Sequence, residues 1–344
     1  MFSFFKKKTT HQARINDAVI EVNSKETILN SALRQGIAMA HSCRVGGCGT
    51  CKCQLLEGEI KALTDFGYIL NEEELNNNVI LACQSVPKSN VKIRATVASS
   101  AAQVQEVQGR VIEQEQLTHD IVRLRLRMDS SLTYQAGQYA ELAVASLAGE
   151  FRNFSFASPS YTHGQLEFFI RAVPGGLFTQ HVLQNSLLEQ QVTVRGPYGD
   201  FYLRQGNEPL LFIAGGSGLA PIKAILESGL EQGIQRDAVL LFGARQQRDL
   251  YLLEELQELS TKWQGQFRFL PVLSEEPESS NWQGLRGLVT EHIQPHFIPA
   301  MHAYLCGPPA MIDAACSTLA TLGVNPENIH ADRFLTNNNK REIA

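Results

Sequence analysis

His41-Ser42-Cys43-Arg44-Val45-Gly46-Gly47-Cys48-Gly49-Thr50-Cys51, joined much later by Leu81-Ala82-Cys83-Gln84, is the stretch that decides how this chain is organised. A C-x4-C-x2-C loop with one distant cysteine has the ligand spacing of a [2Fe–2S] cluster, so Cys43, Cys48, Cys51 and Cys83 are the expected ligands. Gly46, Gly47 and Gly49 let the backbone curl and turn its N–H groups toward the sulfides, which favours the reduced, more negative cluster. Two other readings use the same residues: a zinc hook, or a dithiol pair on Cys48-x2-Cys51. Zinc sites usually show two close ligand pairs, and Cys83 has no nearby Cys or His. A thioredoxin-type pair belongs next to a βαβ pattern, whereas these flanks read as short strands. Cys53 offers a second register in which it replaces Cys51. Keeping the x4-x2 spacing selects Cys51 and leaves Cys53 as a small strand residue facing the other way.

Outward from that loop, 344 residues suggest two or three domains. A hydrophobic content of 44% suffices for several cores, and a net charge of −5 leaves no footprint for nucleic acid. Seven cysteines, clustered and odd in number, point to a reducing compartment, and the expectation is a cytoplasmic protein. The opening Met1-Phe2-Ser3-Phe4-Phe5-Lys6-Lys7-Lys8 places its charge after its short apolar run, the reverse of a secretory signal, and reads as a frayed tail. At best it would graze an anionic membrane surface. No apolar stretch is long enough for a transmembrane helix.

Three modules are expected. In residues 1–98, short strands (Ala18 to Val22, Lys52 to Leu56, Val91 to Val97) surround one helix, Thr27 to Gln35, a small β-grasp arrangement. Ala98 to Gln105 reads as a linker. Residues 107–205 are strand after strand, with clean alternation over Ile121 to Arg127 and Leu166 to Ala172, an antiparallel barrel. In residues 206–334, apolar strands (Leu210 to Ile213, Ala238 to Phe242, Phe267 to Val272, Ala303 to Leu305) alternate with helices (Ile222 to Leu230, Ala310 to Leu322), a doubly wound parallel α/β sheet. The polar end, Thr336 to Ala344, reads as frayed. The fold class is therefore multidomain α+β.

Arg152-Asn153-Phe154-Ser155 offers a cation, an aromatic wall and a hydroxyl, which is what an isoalloxazine ring and its pyrophosphate need. Downstream, Phe169-Ile170-Arg171-Ala172-Val173-Pro174-Gly175-Gly176-Leu177-Phe178-Thr179 runs from a strand through two glycines into a helix start, whose free N–H groups suit a phosphate or simply a cap. Phe212-Ile213-Ala214-Gly215-Gly216-Ser217-Gly218-Leu219-Ala220-Pro221 is a strand, a glycine turn and a helix with Pro near its start, where a dinucleotide pyrophosphate can approach the backbone. Tyr304-Leu305-Cys306-Gly307-Pro308 ends a second strand of the same sheet, and ligands of such sheets bind outside the carboxyl ends of the strands.

The first of these motifs resembles the RxYS pattern of ferredoxin-NADP reductase-type flavoproteins, and the glycine turn resembles their GGxGxxP. With the cluster loop in front, the whole order resembles the NADH-dependent reductase components of multicomponent oxygenases, over nearly the full chain. The resemblance implies FAD, NADH (or NADPH) and a [2Fe–2S] cluster as cofactors. It places Arg152 on the flavin pyrophosphate, Ser155 near flavin N5, and Phe154 where a Tyr is usual. Asn153, Ile170, Arg171, Gly175, Gly176, Leu177 and Thr179 complete the flavin site. Gly216, Ser217 and Gly218 would take the dinucleotide pyrophosphate, Arg245 its adenosine half, Cys306 the nicotinamide C4, and Gly307 and Pro308 its ribose. Phe334 would cover the flavin, so Ser155, Cys306 and Phe334 are the expected catalytic residues. Asp249 near Arg245 favours NADH over a 2′-phosphorylated cofactor.

The expected activity is transfer of electrons from NADH through FAD and the cluster to a terminal oxygenase, hydroxylase or desaturase, Rieske or di-iron. Leu63 to Tyr68 is similar to electron-transfer components of membrane di-iron hydroxylases, which suggests docking to a membrane-bound partner. The strip His41 to Thr50 is the expected docking surface. Rival readings are a reductase of deoxysugar biosynthesis and a non-enzymatic redox sensor.

Overall fold

The computed structural model describes residues 10–41, 44, 46–47, 49–97, 104–147, 149–160 and 164–334. The expected ligands Cys43 and Cys48, both expected tails and residues 98–103 of the expected linker lie outside the described residues. The chain divides into two compact units, the second running from Val104 to Phe334.

The first unit begins with an antiparallel hairpin, β1 (His11–Ile15) and β2 (Ala18–Val22), closed at Asn16, whose φ of 54° suits a short polar side chain. Helix α1 (Ile28–Arg34) starts where Thr27 caps it, its hydroxyl accepting from Asn30 N at 3.3 Å. There follow β3 (Lys52–Glu57), β4 (Ile60–Ala62), α2 (Glu72–Asn76), β5 (Val79–Leu81), β6 (Ser85–Pro87) and β7 (Val91–Ala95). The main sheet has the order β2-β1-β7-β3-β5, with β1 and β7 parallel at its centre. Ile28, Leu29 and Ala32 of α1 are fully buried in one core with Ile15, Leu81 and Ile93, so the sheet grips the helix as expected.

The second unit opens with a six-stranded antiparallel sheet made of β8 (Gln105–Gln116), β9 (Ile121–Met128), β10 (Tyr139–Val144), β11 (Arg152–Ser155), β12 (Gln165–Arg171) and β13 (Gln191–Tyr198), with α3 (Leu177–Gln184) before the last strand. Its order is β11-β10-β13-β8-β9-β12, and a bridge between Phe156 and Phe168 brings the two edges together into a nearly closed barrel. Closure leaves few unpaired edge groups. Alternation along β9 places Val122, Leu124 and Leu126 inside, yet the outward Arg123 is buried too, at 5% exposure, because the neighbouring sheet's helices cover that face.

That neighbour contains β14 (Leu210–Gly215), α4 (Leu219–Glu231), β15 (Ala238–Ala244), α5 (Leu253–Lys262), β16 (Phe267–Leu273), β17 (Leu285–Arg286), β18 (His302–Gly307), α6 (Pro309–Thr321) and β19 (Ile329–Arg333). All strands are parallel in the order β17-β16-β15-β14-β18-β19. Two cores lie against it, as a doubly wound sheet requires: one around Phe212, Leu240 and Tyr304, the other around Ile213, Leu241 and Leu305. The first of these cores also takes in Ile121, Phe169 and Phe201 of the barrel, which is why barrel and parallel sheet form one unit. Among the described residues no helix is long and apolar enough to cross a membrane.

Candidate redox and nucleotide site

In the first unit the two described cysteines of the expected ligand set lie on joined segments. Cys51 and Cys83 are each 3% exposed, and Cys51 O accepts from Ala82 N at 3.1 Å, so the loop and the distant segment are directly joined. Gln84 strengthens the join: its Nε2 donates to Arg44 O at 3.3 Å and lies 3.8 Å from Cys83 Sγ. Gly46 and Gly49 have φ of +83° and +73°, and a Cβ on Gly46 would lie 2.7 Å from Gln84 Cγ. Two buried thiols beside a left-handed glycine loop fit an iron–sulfur centre, which needs tight backbone and a shielded site. Cys53 is also buried in this core, so the expectation that it faces away is not what is seen; spacing, rather than burial, singles out Cys51. Within the strip expected for docking, His41 and Gly46 are buried, and Arg44 bonds Asn30 Oδ1 at 3.1 Å.

In the barrel, β11 pairs with β10, Ser155 opposite Tyr139 and Phe154 opposite Ala140. Ser155 is buried, Ile170 is buried in the barrel interior, and the Phe154 ring lies 5.4 Å from Phe178 of α3, which joins the strand to the helix start. Helix α3 has no side-chain cap after Gly176, and Gly175 has a φ of +72°. Uncapped N–H groups of this kind fit a flavin pyrophosphate. Thr179 braces the turn, its hydroxyl accepting from Val173 N at 3.0 Å. Leu177 is exposed, as are Asn153 and Arg152, whose guanidinium bonds Glu150 at 2.9 Å and Phe151 O at 2.7 Å. Arg171, expected to serve the α3 phosphate, is held at Nε by Asp120 Oδ2 at 2.8 Å, and its Nη1 lies 2.8 Å from where a Cβ on Gly216 would stand.

In the parallel sheet the chain passes from β14 to β15 on one side, while β18 lies on the other, so the crevice opens at the carboxyl ends of β14 and β18. There Gly216, Ser217 and Gly218 face the end of β18: a Cβ on Gly218 would sit 2.2 Å from Cys306 O and 2.9 Å from Gly307 N. Gly216 has a φ of +55°, and its carbonyl accepts from Tyr251 OH at 2.9 Å. Helix α4 carries no side-chain cap; the Leu219 N–H bonds back to the Gly216 and Ser217 carbonyls, which tightens the turn. Cys306 is fully buried, and burial, with the charge of Asp332 adding to it, pushes its thiol well above the ordinary value, so it stays protonated. Pro308 opens α6, and Phe334 donates its N–H to Gly307 O at 3.0 Å. The sheet thus brings the glycine turn, Cys306, Gly307, Pro308 and Phe334 together, an arrangement that fits a nicotinamide dinucleotide. Arg245 is exposed at the end of β15, while Asp249 is engaged, its Oδ2 accepting from Gln246 N at 2.9 Å and its Oδ1 lying 3.4 Å from His119 Nδ1.

Sequence reading missed Gln84, Asp120, Lys223 and Tyr251. None belongs to a motif: each acts across a long stretch of chain, and only Gln84, next to Cys83, carries a positional signal.

Three family models match this chain: a 2Fe-2S iron-sulfur cluster binding domain over residues 13–88, an oxidoreductase FAD-binding domain over 108–202 and an oxidoreductase NAD-binding domain over 212–317. Over 97% of its length the chain is 40% identical to the xylene/toluene monooxygenase electron transfer component of Pseudomonas putida, covering 98% of that protein. It is 35% identical to the phenol 2-monooxygenase reductase component of a Pseudomonas species, over 92% of each. A solved Amycolatopsis cytochrome P450 reductase superposes with a TM-score of 0.81 at 31% identity, over 94% of this chain and 99% of that one. The ferredoxin reductase of a carbazole 1,9a-dioxygenase gives 0.73 at 28%, over 95% and 99%.

Proposed function

We propose, for a chain that belongs to the family of FAD- and [2Fe–2S]-containing reductase components of oxygenase systems, that NADH is its donor and an aromatic- or hydrocarbon-oxidising oxygenase its acceptor. The chain is an NAD(P)H-dependent oxidoreductase of the ferredoxin reductase type with three modules, which we set at 1–98, 107–205 and 206–334. Bound FAD would supply hydride-accepting chemistry and a bound [2Fe–2S] cluster one-electron transfer. The protein's part is to bind, orient and shield.

One observation carries this reading: the glycine turn after β14 and the Cys306-Gly307-Pro308 end of β18 line one crevice, beside a barrel whose Arg171 reaches the turn. There the N–H groups of Gly216 to Gly218 would receive the dinucleotide pyrophosphate, and the neutral Cys306 thiol would pack against the nicotinamide without repelling hydride. Ser155 Oγ would donate a hydrogen bond to the flavin ring, and Phe334 would cover it. Arg152, Asn153, Gly175, Gly176, Leu177 and Thr179 would border the flavin, with Ile170 behind. Cys43, Cys48, Cys51 and Cys83 would hold the cluster. The carboxylate of Asp249, near Arg245, supports NADH over a 2′-phosphorylated cofactor. We place the protein in the cytoplasm. Relatives named for xylene/toluene and phenol monooxygenases support an oxygenase partner; in this reading it is a Rieske or di-iron protein, docked through the strip His41 to Thr50.

The test is steady-state turnover with NADH and NADPH, using ferricyanide, cytochrome c and a purified oxygenase as acceptors. Turnover with NADH at least tenfold more efficient, and supported oxygenation, is the expected result. Negligible turnover with every acceptor would contradict it.

A further inference from the structure

Lys223 is a buried cation in the second turn of α4, the helix that opens from the glycine turn, yet its ammonium is directed at the barrel. Nζ donates to the Ala157 carbonyl at 3.2 Å, and lies 3.3 Å from Glu167 of β12 and 2.7 Å from Glu227 of its own helix. Ala157 is fully buried and stands two residues after Ser155. The backbone there is held in place. Ala157 N donates to Glu167 O at 2.7 Å, the Phe156 ring stacks on Tyr134 at 3.7 Å, and the Tyr134 hydroxyl donates to the Ser158 and Pro159 carbonyls at 2.8 and 3.0 Å. At the other end of the bond, Ile222, Ala224, Ile225 and Leu226 pack α4 with 1% exposure or less, so Nζ, the helix and the turn of Gly216 to Gly218 form one body.

We propose that Lys223 is a positioning residue for hydride transfer: its bond to the Ala157 carbonyl sets the separation between Ser155 and the glycine turn. The proposal rests on the reading of those two places as the flavin and dinucleotide sites. A seam between two sheets does not need an ammonium for stability, since an apolar side chain of similar volume serves as well and avoids desolvating a charge. What the ammonium adds is direction: a charge-assisted bond to a carbonyl that the barrel has already fixed. Direction matters because transfer between two separately held reactants is far more sensitive to their spacing than is the binding of either; a misplacement of about 1 Å can cost about a hundredfold in rate.

The experiment compares E227Q, K223M and K223M/E227Q as flavin-loaded proteins, well below their denaturation midpoints. K223M leaves Glu167 and Glu227 without their cation. K223M/E227Q removes one of these charges while Arg125 still holds Glu167, so it should regain most of the lost midpoint without regaining the bond to Ala157. Three quantities are measured: flavin reduction by NADH in anaerobic stopped flow, calorimetric affinity for ADP-ribose, which carries the pyrophosphate but no nicotinamide, and the long-wavelength charge-transfer absorbance of nicotinamide stacked on flavin. Relative to E227Q, K223M/E227Q should bind ADP-ribose within twofold, reduce its flavin at least tenfold more slowly and show a weaker charge-transfer band. K223R, which keeps a donor, should recover part of the rate. A reduction rate and band equal to those of E227Q would overturn the proposal and leave Lys223 a purely structural residue. So would a slower rate matched by an equal loss of ADP-ribose affinity or of flavin. Wild-type protein that binds no ADP-ribose, or whose flavin NADH does not reduce, would instead overturn the reading of the two sites beneath it.

Discussion

Cys83 is separated from the cluster loop by more than thirty positions, yet its segment is hydrogen-bonded to Cys51 and its neighbour Gln84 reaches the loop backbone. Replacing it with Ser should remove iron and labile sulfide while leaving flavin and NADH-to-ferricyanide turnover near wild type; cytochrome c reduction should fall by more than tenfold. Cys53→Ser should keep the cluster, and loss of iron in that variant instead would transfer the ligand role to Cys53. Gly218 is a second single-residue test. A methyl there meets backbone atoms of Cys306 and Gly307 that cannot step aside, so Gly218→Ala should cost about 2 kcal/mol in chemical denaturation and weaken nucleotide binding. Unchanged stability would mean that the two strand ends are less closely packed than described. The cysteine spacing and the glycine turn were both legible in the sequence because they are local patterns imposed by coordination and close approach. Asp120 and Tyr251 were not, because a Thr-His-Asp turn and an isolated Tyr look like any surface turn and any core aromatic until the fold sets them beside Gly216 and Arg171.

Element by element, the expected strands and helices fall where periodicity puts them, with ends that differ by up to three residues: β14 runs on to Gly215 and α4 starts at Leu219, while β7 stops at Ala95 and α1 is one residue shorter at each end, since glycine, proline and caps mark turns without fixing where the hydrogen-bond ladder stops. Helix α1 shows what holds a short element. Thr27 caps it, and Glu26 pairs with Arg34 at its far end, an interaction that lowers the Glu26 carboxyl from 4.5 to about 2 through the Arg34 hydrogen bond, against burial. A depressed carboxyl stabilises the fold above its unfolded value and loses that contribution as pH falls through its folded value. Glu26→Gln should therefore be less stable than wild type at pH 7, and the difference should close between about pH 4.5 and 2. Thermal melts of both proteins across that range read it out; a gap that persists at low pH would contradict the pairing.

At the scale of the whole second unit, charged residues join barrel to parallel sheet. Lys223 of α4 is 6% exposed and reaches Glu167 of β12 at 3.3 Å, Glu227 at 2.7 Å and Ala157 O at 3.2 Å, while Arg123 meets Glu255 at 2.9 Å across 132 positions of sequence. Burial pushes the Glu227 carboxyl above its ordinary value, with the Lys223 charge drawing it back. Lys223→Met strands two carboxylates and should destabilise the unit by about 2–3 kcal/mol in chemical denaturation, less than a fully buried pair because Arg125 also holds Glu167. A change under about 0.5 kcal/mol would mean that the seam is held by its shared apolar core alone. Alternation told which side of β9 faces the barrel interior, but could not tell that its outward arginine would meet another sheet's helix; that follows only from packing between distant elements.

One chain carries electrons from a nicotinamide through a flavin to an iron–sulfur centre. The most direct test of this transfer is anaerobic addition of NADH to the purified holoprotein, followed by visible absorbance and by electron paramagnetic resonance. Bleaching of the flavin is expected together with the signal of a reduced [2Fe–2S] centre, and no such centre in Cys83→Ser. Flavin that bleaches while an intact cluster stays oxidised would contradict it.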